Sequence, residues 1–152
     1  MEILNAWPGA QWLQASPTAY LLVNACHILG LALLVGAIVP LDVWVLRRRA
    51  TADAQGLMRM QRSAMLGLAV AVATGAWLFT VQAENYLGNR AFVTKMGMLA
   101  LALANIGWQH ASGDWTRFRD GQPASAMMRL RAGASLLLWL SILLAGRWIG
   151  FL

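Results

Sequence analysis

Four long apolar stretches, separated by short polar or basic segments, dominate the chain. The first begins after Ser16-Pro17, with serine favoured as N-cap and proline at the first helical position, and runs to about Leu46. Pro40 is expected to bend it near its end, and Arg47, Arg48 and Arg49 close it. Three more stretches follow at about 63–81, 91–109 and 131–149. Roughly 20 apolar residues in a helix cross the hydrocarbon of a bilayer. The pattern therefore predicts an all-α polytopic membrane protein, a four-transmembrane-helix bundle forming a single domain over residues 1–152.

Small residues recur at helical spacing on two of the spans. Ser63, Gly67, Ala71 and Gly75 mark the second, and Gly97, Ala100, Ala104 and Gly107 the third. Such stripes let a neighbouring helix approach closely. Gly30, Gly36 and Gly75 are likewise read as packing positions. Ahead of the first span, residues 3–14 are amphipathic, with Ile3, Leu4, Trp7, Trp12 and Leu13 apolar and Pro8 interrupting. This reads as a short segment lying in the membrane interface. The stretch 112–125 is polar, and Asp120-Gly121 marks a turn within it.

Composition agrees with the pattern. Apolar residues make up 59% of the chain and charged residues only 12%, about half the charged fraction of a soluble domain. The net charge of +6 does not point to nucleic acid, because the basic residues gather at helix ends and no nucleic-acid motif accompanies them. Glu2 stands where a signal peptide is basic, so the first helix is expected to stay in the protein. A lone cysteine, Cys26, excludes an internal disulfide and a cysteine-based zinc site.

The basic residues also predict orientation. Arg47, Arg48, Arg49, Arg59 and Arg62 lie between the first two spans, and Arg117, Arg119, Arg129 and Arg131 between the last two. Only Arg90, Lys95 and Arg147 fall on the other side. Nine against three places the arginine-rich connections in the cytoplasm, hence both termini outside, on the periplasmic face of an inner membrane.

Polar groups inside spans are costly and each needs a reason. His27 lies ten residues into the first span and Lys95 and Met98 early in the third. All three are expected in the outer half, facing one cavity. His110 is expected roughly 15 Å deeper than His27, too far for the two to clamp one iron. His27 admits two readings, a ligand for iron or copper through a neutral ring nitrogen or a hydrogen-bonding residue between helices. Lys95 suits a propionate or else snorkels to the interface, and Met96 or Met98 offers a soft sulfur. Asp42 and His110 share the cytoplasmic level, where a pair is one expectation. Met65, Met127 and Met128 near His110 form a second, weaker copper pattern. The eight tryptophans are read mostly as interfacial anchors. No Ser-His-Asp arrangement, phosphate-binding glycine loop or paired-carboxylate site is visible.

Several of these segments together are familiar. They are Asn24-Ala-Cys-His-Ile-Leu-Gly30, Gly36, Asp42 before the arginines, Asn89-Arg-Ala-Phe-Val-Thr-Lys95, and Ala104-Asn-Ile-Gly-Trp-Gln-His110. With them the chain resembles, over nearly its whole length, an uncharacterised bacterial family of four-helix inner-membrane proteins. It is similar more distantly to the copper-resistance D membrane domain and to HemJ-type protoporphyrinogen oxidases. In the HemJ-type group a histidine of an early helix and a lysine of a later one matter, and the matching positions here are His27 and Lys95. Where those proteins carry Trp-x-Ala-Gly-Leu-Phe, this chain has Leu-Leu-Val-Gly-Ala-Ile at 33–38. The resemblance thus implies a porphyrin or metal site in that place, without the HemJ reaction.

Three functions follow as expectations. The first is a b-type haem or porphyrin protein in electron transfer or haem handling, with His27 as axial ligand, Lys95 against a propionate and Met98 as a second ligand. A quinone or a redox protein would be its electron partner. The second is copper uptake or handling, using His27, Met96 and Met98 outside and Met65 and His110 inside. The third is a cofactor-free accessory subunit whose small-residue stripes dock partners in a homo-oligomer or larger membrane complex.

Overall fold

A computed structural model describes residues 6–47 and 54–149. Ile3, Leu4, Arg48 and Arg49, which figure in the sequence reading, lie outside these. The described elements are all helices: α1 (Pro8–Ala15), α2 (Pro17–Leu46), α3 (Ala54–Val81), α4 (Ala83–Gly88), α5 (Arg90–Ala111), α6 (Asp114–Arg119) and α7 (Ala126–Trp148). Four of these, α2, α3, α5 and α7, are long and apolar enough to cross a membrane. The protein is an all-α membrane protein built as a four-helix bundle.

The caps follow the local chemistry. The Ser16 hydroxyl accepts from the Ala19 amide and starts α2 with Pro17 in its first turn. Asn89 Oδ1 accepts from the Ala91 and Phe92 amides at the head of α5. Ser125 does the same for Met128 at the head of α7. Each satisfies amides that an α-helix leaves unpaired at its start. The Asp120-Gly121 turn is present, with Gly121 at φ 88.

Three boundaries and positions differ from the sequence reading. Helix α3 starts at Ala54, well before residue 63, because Leu57 is fully buried while Arg59 and Arg62 point outward, so the extra turns are amphipathic. For the same reason α7 starts at Ala126, with Met128 buried. The polar stretch 112–125 contains α6, which buries Trp115 and Phe118 against the arginine-bearing end of the bundle. Pro8 does stand at a break, as expected: the chain bends at Trp7 and α1 starts afresh at Pro8, since proline lacks the amide that a first-turn position leaves unpaired anyway.

Helices α2 and α3 pack along their length, α5 packs on α7, and α2 on α7 joins the two pairs. The α2–α3 crossing uses the first small-residue stripe. A Cβ on Gly67 would lie 2.5 Å from the Leu34 amide nitrogen, and one on Gly30 2.8 Å from that of Ala71. Only glycine permits this approach. Gly36, by contrast, meets nothing within 4 Å and is not a packing position. The second stripe, Gly97, Ala100, Ala104 and Gly107, faces outward on α5.

Buried residues form three layers. The inner one gathers Leu41, Val45, Leu57, Trp115, Phe118, Met128 and Ala132. The middle one holds Leu34, Ala37, Ala64, Ala102, Trp139 and Ile142. At the outer end, Leu13 of α1 meets Ala19 and Val81, and α1 is fastened to α3 by Trp77 donating to the Gly9 carbonyl at 3.1 Å and Gln14 to that of Val81 at 3.1 Å. Large apolar side chains such as Leu29, Leu66, Leu137 and Leu144 project from the bundle with 60% or more of their surface exposed. Lipid is the solvent that accommodates them. Trp7, Trp12, Trp108 and Trp148 are exposed near helix ends, but Trp115 and Trp139 are core residues and not interfacial anchors.

Candidate functional site

His27 sits on α2 against the stripe of α3. Its Nδ1 lies 2.9 Å from the Ala71 carbonyl and 3.1 Å from Thr74 Oγ1. The Thr74 hydroxyl hydrogen goes to the Val70 carbonyl at 2.6 Å, so its oxygen faces the ring as an acceptor. Both partners accept. Nδ1 therefore carries the hydrogen, and the neutral ring keeps its lone pair on Nε2. Gly75 makes room for the ring: a Cβ there would lie 2.9 Å from His27 Cε1.

Lys95 of α5 is half-buried, and its ammonium reaches within 3.3 Å of where a Cβ on Gly146 of α7 would sit. It has no carboxylate partner among the described residues. His27 faces α3 and Lys95 faces α7, and no hydrogen bond joins the pair that the sequence singled out. Met98 packs against the middle layer, and Met96 is 44% exposed.

The half of the bundle nearer the arginine-rich connections holds a different set of polar groups around a cavity of about 380 Å³ between the four spans and α6. His110 lies here. Its Nε2 accepts from Gln61 at 3.0 Å, and its Nδ1 donates to the Ile106 carbonyl at 2.8 Å. Gln61 in turn accepts from Trp115 Nε1 at 3.2 Å. Since His27 is tied to Ala71 and His110 to Gln61, the histidines stand ten residues apart along α3, about 15 Å by helical rise.

Arg131 is 6% exposed. Its Nη1 donates to Ser112 Oγ at 2.6 Å, Asp114 Oδ2 at 3.3 Å and Gln109 Oε1 at 3.4 Å, and its guanidinium lies 4.7 Å from the Trp108 ring centre. Asn105 donates to the Arg131 carbonyl at 3.0 Å. Asp42, 4% exposed, takes a hydrogen bond from the Ser135 hydroxyl, while its Oδ2 has no partner.

The expected pairing of Asp42 with His110 does not form, although both line the cavity, because both ring nitrogens of His110 are taken by Gln61 and Ile106. Met128 is sealed in the inner layer and Met127 is exposed, so of that methionine set Met65 lines the cavity with His110. Arg131 and Ser135 were not singled out by sequence beyond a charge count. Their spacing of four on one face of α7 is the signal that points to them.

These features define the protein's class: a four-helix integral membrane protein with one histidine in the half nearer its termini and a largely apolar cavity, edged by a few polar groups, in the half nearer the arginine-rich connections. No protein-family model matches the chain, and no curated protein or solved structure matches it at a significant level.

Proposed function

We propose that the protein is a small haem- or porphyrin-binding protein of the bacterial inner membrane, acting in electron transfer or haem handling, with His27 as axial ligand through Nε2. The observation that carries this reading is the bond from His27 Nδ1–H to the Ala71 carbonyl. Metal-bound histidines characteristically donate their other ring hydrogen to a carbonyl or carboxylate, which orients the ring and raises its basicity. Lys95, a cation without a carboxylate partner among the described residues, suits a propionate. The resemblance to HemJ-type proteins implies the same pair.

The donor set favours haem over copper. Among the described residues no three His, Cys, Asp or Glu side chains converge. A copper site drawn from protein alone needs several donors, whereas a porphyrin brings four nitrogens and asks the protein for one. Haem held there would supply one-electron chemistry, with a quinone or redox protein as partner. Met98 serves as packing in this reading rather than as a second ligand. The nine-to-three arginine bias places both termini in the periplasm.

The test is the optical spectrum of the protein purified after expression with haem supplementation. A Soret band that His27→Ala abolishes is the expected result. No band in the wild type, with His27→Ala indistinguishable from it, removes the reading, and bound copper without porphyrin would replace it by copper handling. The accessory-subunit reading draws on the outward stripe of α5, where Gly97 and Gly107 meet nothing within 4 Å. It predicts that bulky substitutions there disrupt an assembly while His27→Ala leaves it intact.

A further inference from the structure

The end of the bundle nearer the termini carries a second cavity, of about 350 Å³, walled by α1, the first turn of α2, the end of α3 and α4. Leu13, Pro17 and Val81 supply its apolar surface, and Gln14, Tyr20, Gln82 and Tyr86 its polar surface. None of the residues lining it is charged. A phosphate, carboxylate or ammonium group finds no counter-charge there, so the cavity suits a neutral head. Its polar groups are reachable, since Gln14, Tyr20 and Gln82 are exposed. They are also largely unspent. Gln82 accepts a long hydrogen bond from Asn85 at 3.4 Å, and both hydrogens of its amide are unused among the described residues. Gln14 gives one amide hydrogen to the Val81 carbonyl, which leaves its second hydrogen and its oxygen. Tyr20 and Tyr86 share one hydrogen bond, which uses one of their two phenol hydrogens.

We propose that this cavity binds the head of a quinone, its carbonyl oxygens on the Gln82 amide and the Tyr20 hydroxyl and its ring against Leu13 and Val81. Reduction turns each carbonyl into a hydroxyl, whose hydrogen the Gln14 oxygen is free to accept, so one set of side chains serves both forms. Apolar walls with a few convergent polar groups are the usual build of a small-molecule pocket. Tyr20, 37% exposed, stands at the head of a span, the depth at which a lipid-dissolved head meets the protein. Binding stands on the cavity alone, whereas the quinone's role as electron partner rests on the haem reading. Tyr20 and His27 are seven residues apart on α2, hence on one face and about 10 Å apart by helical rise. A quinol bound there loses two electrons and two protons as it becomes the quinone, the protons leaving to water and the electrons passing one at a time to haem iron at His27.

The experiment is calorimetric titration of the full chain, in nanodiscs of zwitterionic lipid, with duroquinone and with tetramethylbenzene, the same ring without oxygens. Duroquinone is expected to bind the wild type saturably and roughly tenfold more tightly than tetramethylbenzene, the weight of two hydrogen bonds. Gln82→Leu and Tyr20→Phe should each weaken duroquinone about fivefold and leave tetramethylbenzene unchanged. His27→Ala should change neither. Gln82 makes no capping bond to α4, and tryptophan-fluorescence unfolding of each variant establishes that it is folded. Equal binding of the two rings, no saturable binding to the wild type, or unchanged binding in both variants overturns the proposal. Saturable binding to a protein that shows no Soret band supports the site and removes the haem reading alone. A Soret band without quinone binding overturns the site alone.

Discussion

Gly67 and Leu34 meet backbone to backbone: a Cβ on the glycine would lie 2.5 Å from the leucine amide nitrogen. This contact fixes how closely α2 and α3 approach. It also sets where His27 stands, since Ala71, which receives the His27 hydrogen bond, is one turn along the same stripe. Gly67→Ala is therefore expected to force the pair apart and to cost about 1–3 kcal/mol, the usual range for overpacking. Gly36→Ala meets open space and should be neutral or slightly stabilising. Unfolding of both variants in detergent, followed by tryptophan fluorescence, checks the difference. Gly67 and Ala71 belong to the internal packing, so such losses are of folding and not of partner assembly.

Gly75→Ala tests the proposed ligand more finely. The new methyl would press on Cε1 of a side chain that can turn away. Stability should change by less than about 1 kcal/mol, while haem retention should fall roughly tenfold as the ring leaves its Ala71 bond. Retention measured by the Soret absorbance per protein reads this out. Unaltered retention with a displaced ring would count against His27 as the ligand.

Arg131→Met removes a buried cation that holds Gln109, Ser112 and Asp114. Asp114, only 12% exposed at its side chain, is left with Arg117, whose own side chain is 64% exposed. A loss of about 3 kcal/mol is expected, typical of breaking one half of a buried pair. The double variant Arg131→Met with Asp114→Asn should recover part of it. Denaturant midpoints of the two proteins make the comparison.

Orientation can be read with single cysteines. With Cys26 replaced by serine, Asp120→Cys should be shielded from a membrane-impermeant maleimide in intact cells, and Glu84→Cys should react. The reverse pattern would place the arginine-rich connections outside and invert every depth assigned here.

Much of this molecule is legible without coordinates. The apolar runs are long enough to dictate helices, because a chain in lipid must pair its own amides and carbonyls. Ser16-Pro17 marks the start of α2 to the residue, since capping is a local transaction between a side chain and the next few amides. The α3 stripe announces close packing, and His27 and Lys95 stand out simply as polar groups in greasy surroundings.

Other features were settled only by the way the helices assemble. Two small-residue stripes look alike on paper, yet one is buried against α2 and the other faces outward, because spacing defines a face and not its neighbour. Leu57, Met128, Trp115 and Phe118 turned connecting sequence into helix once a core was there to bury them. Asp42 and Arg131 are both charged residues near one end of the bundle, but the fold gives Arg131 three acceptors and leaves Asp42 with a single hydroxyl. A charge's partners lie on other helices, and no one-dimensional pattern carries the rotation and depth that decide which of them it meets.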